Sequence, residues 1–180
     1  VRKIPTVYLR GEINRSKVTG EINPECRWVV DGEGVPTRKY DGTCVRCDVD
    51  GRWWARREVK PGKNPPQNYQ AEQRDPITGK TVGWEPINQS PFVKMHHEAV
   101  RASDDWQPGT YELCGPKIQG NPERLPGHVL IRHATAEIFI SEGPGDPASI
   151  VRIAATRGWE GIVWHHPDGR MAKLKARDLQ

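Results

Sequence analysis

A chain of 180 residues with 35% hydrophobic residues and a mean hydropathy of −0.76 is long enough to bury a core, yet carries no stretch apolar enough to cross a membrane. Its seven Trp argue against a disordered chain, while 18 Gly and 16 Pro imply many loops. Lys and Arg exceed Asp and Glu by 27 to 23, and this +4 charge suits a polyanionic partner without requiring one.

In chain order, the opening residues Val-Arg-Lys-Ile-Pro hold no apolar leader core, so a cytoplasmic location is expected. Residues 26–30 (Cys-Arg-Trp-Val-Val) predict a short strand, followed by a turn from Asp31 to Gly34. Thr43 to Val49 and Arg52 to Val59 are β-prone and flank Asp50-Gly51, which predicts a hairpin. Residues 60–91 are proline-rich and read as a long loop region, with a short strand at Thr81 to Trp84. The pattern over 92–104 fits a helix or a strand equally. Thr110 to Leu113 reads as a strand, and His128 to His133 with Glu137 to Ile140 as a strand pair. Asp146-Pro147 then supplies an N-cap and a first-turn proline for a helix. Ile150, Val151, Ile153 and Ala154 form its apolar face, and Gly158 ends it. Strands at Gly161 to His165 and Arg170 to Lys175 close an antiparallel α+β chain read as a single domain over 1–180.

The cysteines are Cys26, Cys44, Cys47 and Cys114. Cys44 and Cys47 form a CxxC, but no second pair follows. Strand residues three apart face opposite ways, so reduced, buried thiols are expected rather than a zinc site. The adjacent His165 and His166 point apart for the same reason.

Four features carry chemistry. Lys39-Tyr40-Asp41-Gly42 places an amine before an acid and a glycine, and a neutral lysine amine is a nucleophile. Glu112 stands inside the otherwise apolar Tyr111-Glu112-Leu113, and a buried carboxylate needs a metal, a cation or a ligand hydroxyl. Glu160 precedes Gly161 and an apolar strand, the glycine leaving space for a ligand. Lys173 and Lys175 share one strand face, where two like charges are unfavourable unless an anion such as phosphate lies between them. Each signal alone is compatible with an ordinary surface turn or a solvated strand.

Their order, however, resembles the covalent nucleotidyltransferase superfamily of ATP-dependent DNA and RNA ligases and capping enzymes. Lys39 to Gly42 matches its first motif, Glu112 its third, Glu160-Gly161 its fourth and Lys173-x-Lys175 its fifth. Trp54-Ala55-Arg56-Arg57, Gly83-Trp84-Glu85-Pro86, Gly120-Asn121-Pro122 and Glu160 to His165 look like a stand-alone vertebrate-type family of 5′-to-3′ RNA ligases. The resemblance implies a β-rich adenylation (nucleotidyltransferase) domain of the ATP-grasp-like DNA/RNA ligase type. With the sequence ending shortly after Lys175, no OB-fold domain is expected.

The implied activity is joining of RNA 5′-phosphate and 3′-hydroxyl ends through a lysyl-AMP enzyme and an adenylated RNA. Lys39 is then the catalytic nucleophile, and ATP and Mg²⁺ or Mn²⁺ are the cofactors. Thr37 and Arg38 would border adenine, Glu112 would bind the ribose, and Lys173 and Lys175 would grip the α-phosphate. Asp41, Glu112 and Glu160 are the metal candidates. Two departures stand out. Many members carry Arg where this chain has Cys44, so Arg46 or Arg56 would grip ribose or phosphate instead. No aromatic lies in 128–133, which leaves His133 or an aliphatic to stack on adenine. Lys60, Lys63, Arg74, Lys80, Lys94, His96 and His97 are candidate RNA contacts. No membrane and no protein partner are expected. The competing readings are a DNA ligase, a guanylyl-transferring capping enzyme and a non-sealing protein that binds adenylate or RNA ends.

Overall fold

The computed structural model describes residues 2–140 and 145–179. In chain order these run through β1 (Tyr8–Arg10), β2 (Val18–Ile22), α1 (Arg27–Val30), β3 (Val35–Lys39), β4 (Thr43–Cys47), β5 (Trp53–Val59), β6 (Gln70–Arg74) and β7 (Thr81–Pro86). There follow α2 (Val93–Val100), β8 (Gly109–Cys114), β9 (Val129–Arg132), α3 (Pro147–Thr156), β10 (Gly161–His165) and β11 (Met171–Lys175). The protein is α+β, mostly antiparallel sheet with few helices. Among the described residues no helix is long and apolar enough to cross a membrane. Backbone contacts divide the chain into two compact units, Val1–Lys3 with Asp41–Thr135 and Ile4–Tyr40 with Ala136–Gln180. The division falls between Tyr40 and Asp41, inside the Lys39–Gly42 motif.

The first unit, built on 41–135, holds a six-stranded sheet in the order β6-β7-β5-β4-β8-β9. Its centre is the hairpin expected from Asp50-Gly51, with Val45 opposite Ala55 and Cys47 opposite Trp53. Gly51 takes a φ of 75°, a conformation glycine adopts without steric cost. The Asp48 carboxylate fastens the turn by accepting from the amides of Asp50 and Arg52 and from the Trp54 indole N–H at 2.8 Å. Strand alternation then sorts the side chains. Val45, Cys47, Ala55, Tyr111 and Leu113 form a core with Ala99 of α2 and Ile118. Cys44, Arg46, Trp54, Thr110 and Glu112 take the other face, in the pairs Cys44–Glu112, Arg46–Thr110 and Arg46–Trp54.

Two features of this unit were not legible in the sequence. Residues 92–104 settle as a helix over Val93–Val100, which covers the core with Ala99. The proline-rich stretch contains a strand, β6, paired with β7. Its residues are polar on both faces, so no hydrophobic alternation announced it.

The second unit holds a three-stranded sheet in the order β11-β10-β3 and the β1-β2 pair. Ile162, Trp164, Ala172 and Leu174 pack one face of the larger sheet into a core with Val151 and Ala154 of α3, Phe139, Trp159, Trp28 and Val7. Helix α3 begins where the sequence predicts. The Asp146 carboxylate accepts from the amides of Ala148 and Ser149 at 3.0 and 3.1 Å, and Pro147 opens the first turn. Its buried stripe is narrower than expected, because Ile153 is 46% exposed.

Two expected strands are absent here. Residues 24–30 form a 3-10 turn, Pro24–Cys26, running into α1. The Asn23 side chain accepts from the Glu25 amide and Pro24 presets the first turn, so local capping outweighs the β-branched Val29 and Val30. Glu137 to Ile140 does not pair with β9, whose partner is β8. It instead lies along β3 through the Arg38 amide to the Glu137 carbonyl and the Phe139 amide to the Pro36 carbonyl, drawn there by burial of Phe139.

Candidate functional site

In the second unit the sheet register concentrates charge on one rung. Gly161 of β10 pairs with Lys39 of β3 on one side and Lys175 of β11 on the other. Two residues along, Val163 pairs with Thr37 and Lys173. Thr37, Lys39, Lys173 and Lys175 therefore share the face opposite the α3 core. Glu160, which precedes the rung, is the hub. One carboxylate oxygen receives the Lys39 amine, and the other lies 2.5 Å from the Lys175 amine and 3.7 Å from the Arg177 guanidinium.

The Glu160 side chain is only 7% exposed. Burial alone would raise its pKa. The charge of Lys39 and the hydrogen bonds from Lys175 and Lys39 more than offset that, and the carboxyl is held below its ordinary range. One buried anion facing two amines and a guanidinium leaves surplus positive charge on this face, suited to phosphate oxygens.

Gly161 does not leave room for a ligand, contrary to the sequence expectation. A Cβ there would collide with the Leu174 carbonyl oxygen and approach the Lys175 Cα to 2.8 Å. The missing side chain lets β11 close against β10, and that closure brings Lys175 to Glu160. Thr37 is buried and donates its hydroxyl to the Val163 carbonyl at 3.0 Å. Arg38 lies on the other side of β3, over the rings of Tyr40 at 4.5 Å and Trp159 at 5.3 Å, with Glu137 at 3.4 Å. Its amide is committed to the Glu137 carbonyl, so the Arg38 expected to border adenine offers no backbone donor there.

In the first unit Glu112 is buried, and its partners come from the protein. One oxygen accepts from the Gly42 amide at 3.1 Å, and the other lies 3.0 Å from His133 Nε2. His133 Nδ1 in turn meets the Thr110 hydroxyl at 2.9 Å. Gly42 is required for this approach, since a Cβ there would strike the Leu113 carbonyl oxygen and come within 2.7 Å of Cys114 Sγ. Arg46 lies over Trp84 at 4.8 Å and Trp54 at 5.5 Å, and donates to Gln70 at 2.6 Å. Arg56 is exposed on β5 opposite Trp84. The Asp41 amide donates to Glu123 at 2.9 Å.

Of the candidate RNA contacts, Lys60, Lys63, Arg74, Lys94 and His97 are exposed, and Lys80 pairs with Glu58 at 2.8 Å. His96 is only 2% exposed and packs edge-on against Trp53, which removes it from any surface role. Two residues of these groupings were missed in the sequence. Arg177 follows Lys173 and Lys175 at the same spacing, and that alternation was the signal. Cys44 was set aside with Cys47, although strand parity places it on the face of Arg46. In comparisons with known proteins, no family model matches this chain and no curated protein matches it.

Proposed function

We propose that this chain is an ATP-dependent RNA ligase that takes AMP onto Lys39 and passes it to an RNA 5′-phosphate. The observation that carries this reading is the single rung on which Lys39, Glu160 and Lys175 meet, with Lys173 and Thr37 on the same face. An amine beside a buried carboxylate and further cations is what phosphoryl chemistry at a lysine needs. The amine is the nucleophile, and the cations balance the charge that builds on phosphate oxygens.

Lys39 Nζ bonds to the α-phosphorus of ATP as the bond to pyrophosphate breaks, and pyrophosphate departs with the electron pair. A phosphate oxygen of the RNA 5′ end then attacks the same phosphorus and releases the lysine amine. The RNA 3′-hydroxyl finally attacks the 5′-phosphorus, and AMP leaves. Lysine attacks only as the neutral amine. Lys175 and Lys173 grip the α-phosphate.

A divalent ion of the Mg²⁺ or Mn²⁺ class takes oxygen donors. The Glu160 carboxylate fits that donor type, and the ion would supply charge neutralisation at the phosphates. The test is incubation with α-labelled ATP and a divalent metal. The expected result is labelled protein that loses its label on addition of 5′-phosphorylated RNA with formation of a joined product. No label across metals and pH would sink the reading. Label from GTP alone would move it to the capping class, and sealing of a DNA nick alone would move the acceptor to DNA.

A further inference from the structure

The first unit brings a thiol, a carboxylate and an imidazole together. Cys44 Sγ, a Glu112 carboxylate oxygen and a His133 ring nitrogen all lie within 4.8 Å of one another. We infer that Cys44, Glu112 and His133 form a binding site for a thiophilic divalent cation of the Zn²⁺ class. The inference goes beyond the ligase reading and does not depend on it.

The donor set argues first. A sulfur, an imidazole nitrogen and a carboxylate oxygen are the three zinc ligand types, and three protein ligands with a fourth, water-filled position make an open tetrahedral site. Thiolate and imidazole together select Zn²⁺ over Mg²⁺ or Ca²⁺, which prefer oxygen alone. On binding, the Cys44 thiol proton passes to solvent and an Sγ–metal bond forms. The thiolate and the Glu112 carboxylate then carry two negative charges, which match the ion.

The scaffold argues second. Cys44 and Glu112 are register partners on β4 and β8, and His133 follows the Tyr111–Arg132 pair of β8 and β9, beside Thr110. Two neighbouring strands thus fix Cys44 and Glu112, and the 3-10 turn that follows β9 carries His133. Tetrahedral bond lengths of about 2.0–2.3 Å set ligand-to-ligand edges of roughly 3.3–3.7 Å, so side-chain rotation of about an ångström completes the site. His133 and Glu112 are already 3.0 Å apart.

The outer contacts argue third. The Gly42 amide holds the second Glu112 oxygen, and the Thr110 hydroxyl meets His133 Nδ1 at 2.9 Å. A threonine hydroxyl either donates or accepts. It therefore serves His133 with the proton on either ring nitrogen, and leaves Nε2 available to a metal. Partners of this kind orient metal-bound imidazole and carboxylate.

The experiment uses Co²⁺ as a spectroscopic probe for Zn²⁺, on the whole chain in its reduced form without nucleotide. One Co²⁺ per chain should give a thiolate-to-cobalt charge-transfer band in the near ultraviolet and strong visible bands of tetrahedral cobalt, both displaced by Zn²⁺. Cys44→Ser should remove the charge-transfer band, and His133→Ala should weaken binding by about ten-fold or more. Cys47→Ser, on the opposite face of the same strand, should leave the band in place. A band that survives in C44S and is lost in C47S, or no cobalt binding by the wild-type chain, overturns the inference. Circular dichroism confirms that each variant is folded before it is read. The spectrum involves no nucleotide, so its failure and a failure of lysyl-AMP labelling are separate results.

Discussion

Two sheets in this protein follow one building rule and reach different chemistry. The β3–β10–β11 sheet of the second unit and the β4–β5–β8 part of the first each bury one face on a core and turn the other to polar side chains. On the first of these, the polar face carries Lys39, Lys173, Lys175 and Thr37, with the amines of Lys39 and Lys175 gathered about one buried carboxylate. On the other it is mixed: Arg46 stacked over Trp84 and Trp54, and a thiol, a carboxylate and an imidazole in contact range. The difference teaches that alternation supplies a reactive face cheaply, while register decides which side chains meet on it. Glu160 gathers amines because Gly161 pairs at once with Lys39 and Lys175. Glu112 meets Cys44 and His133 because its own neighbours differ in type.

The largest expected effect separates the two faces by activity. Lys39→Ala should abolish labelling by α-labelled ATP, while Cys44→Ser, on the polar face of the first unit, should leave it in place. Equal labelling by Lys39→Ala and wild type would break the assignment of nucleophile to the second unit.

Titration sharpens the contrast next. Burial, with a smaller contribution from His97, lowers the His96 pKa from 6.5 to about 4. The unfolded chain therefore binds a proton below pH 6.5 that the folded chain refuses. Stability is unaffected above that pH and falls between 6.5 and about 4, by about 3 kcal/mol in all. His96→Leu should flatten that window in denaturation measured against pH. Glu160 behaves differently. Its lowered pKa stabilises the fold above the ordinary carboxylate range, and that contribution disappears as pH falls through its lowered value. Glu160→Gln should lower stability above the acid window and flatten the pH dependence within it, and a change confined to pH 5–6.5 would contradict it.

Close backbone approach is the third test. Gly161→Ala places a Cβ against the Leu174 carbonyl and should cost about 2–3 kcal/mol of stability while displacing Lys175. Gly42→Ala should cost a similar amount and loosen the amide contact to Glu112. Unchanged denaturation midpoints in both would show that the strands adjust freely. The smallest effect is at a cap: Asp146→Ala should lower stability by about 1 kcal/mol through α3, read from the same denaturation curves.

The sequence alone determined what rests on near neighbours. Asp50-Gly51 set a hairpin and Asp146-Pro147 set the start of α3, because turn and cap chemistry act within a few residues. The order of Lys39, Glu112, Glu160, Lys173 and Lys175 was legible too, since residue type and spacing are written in the chain. Tertiary structure decided the rest. Residues 137–140 left β9 to bury Phe139 beside β3. Cys44 and His133 came together only because two strand registers align residues that stand 89 positions apart in the numbering of the chain. Pairing energy depends on partners far along the chain, and no local pattern encodes which partner a strand will choose.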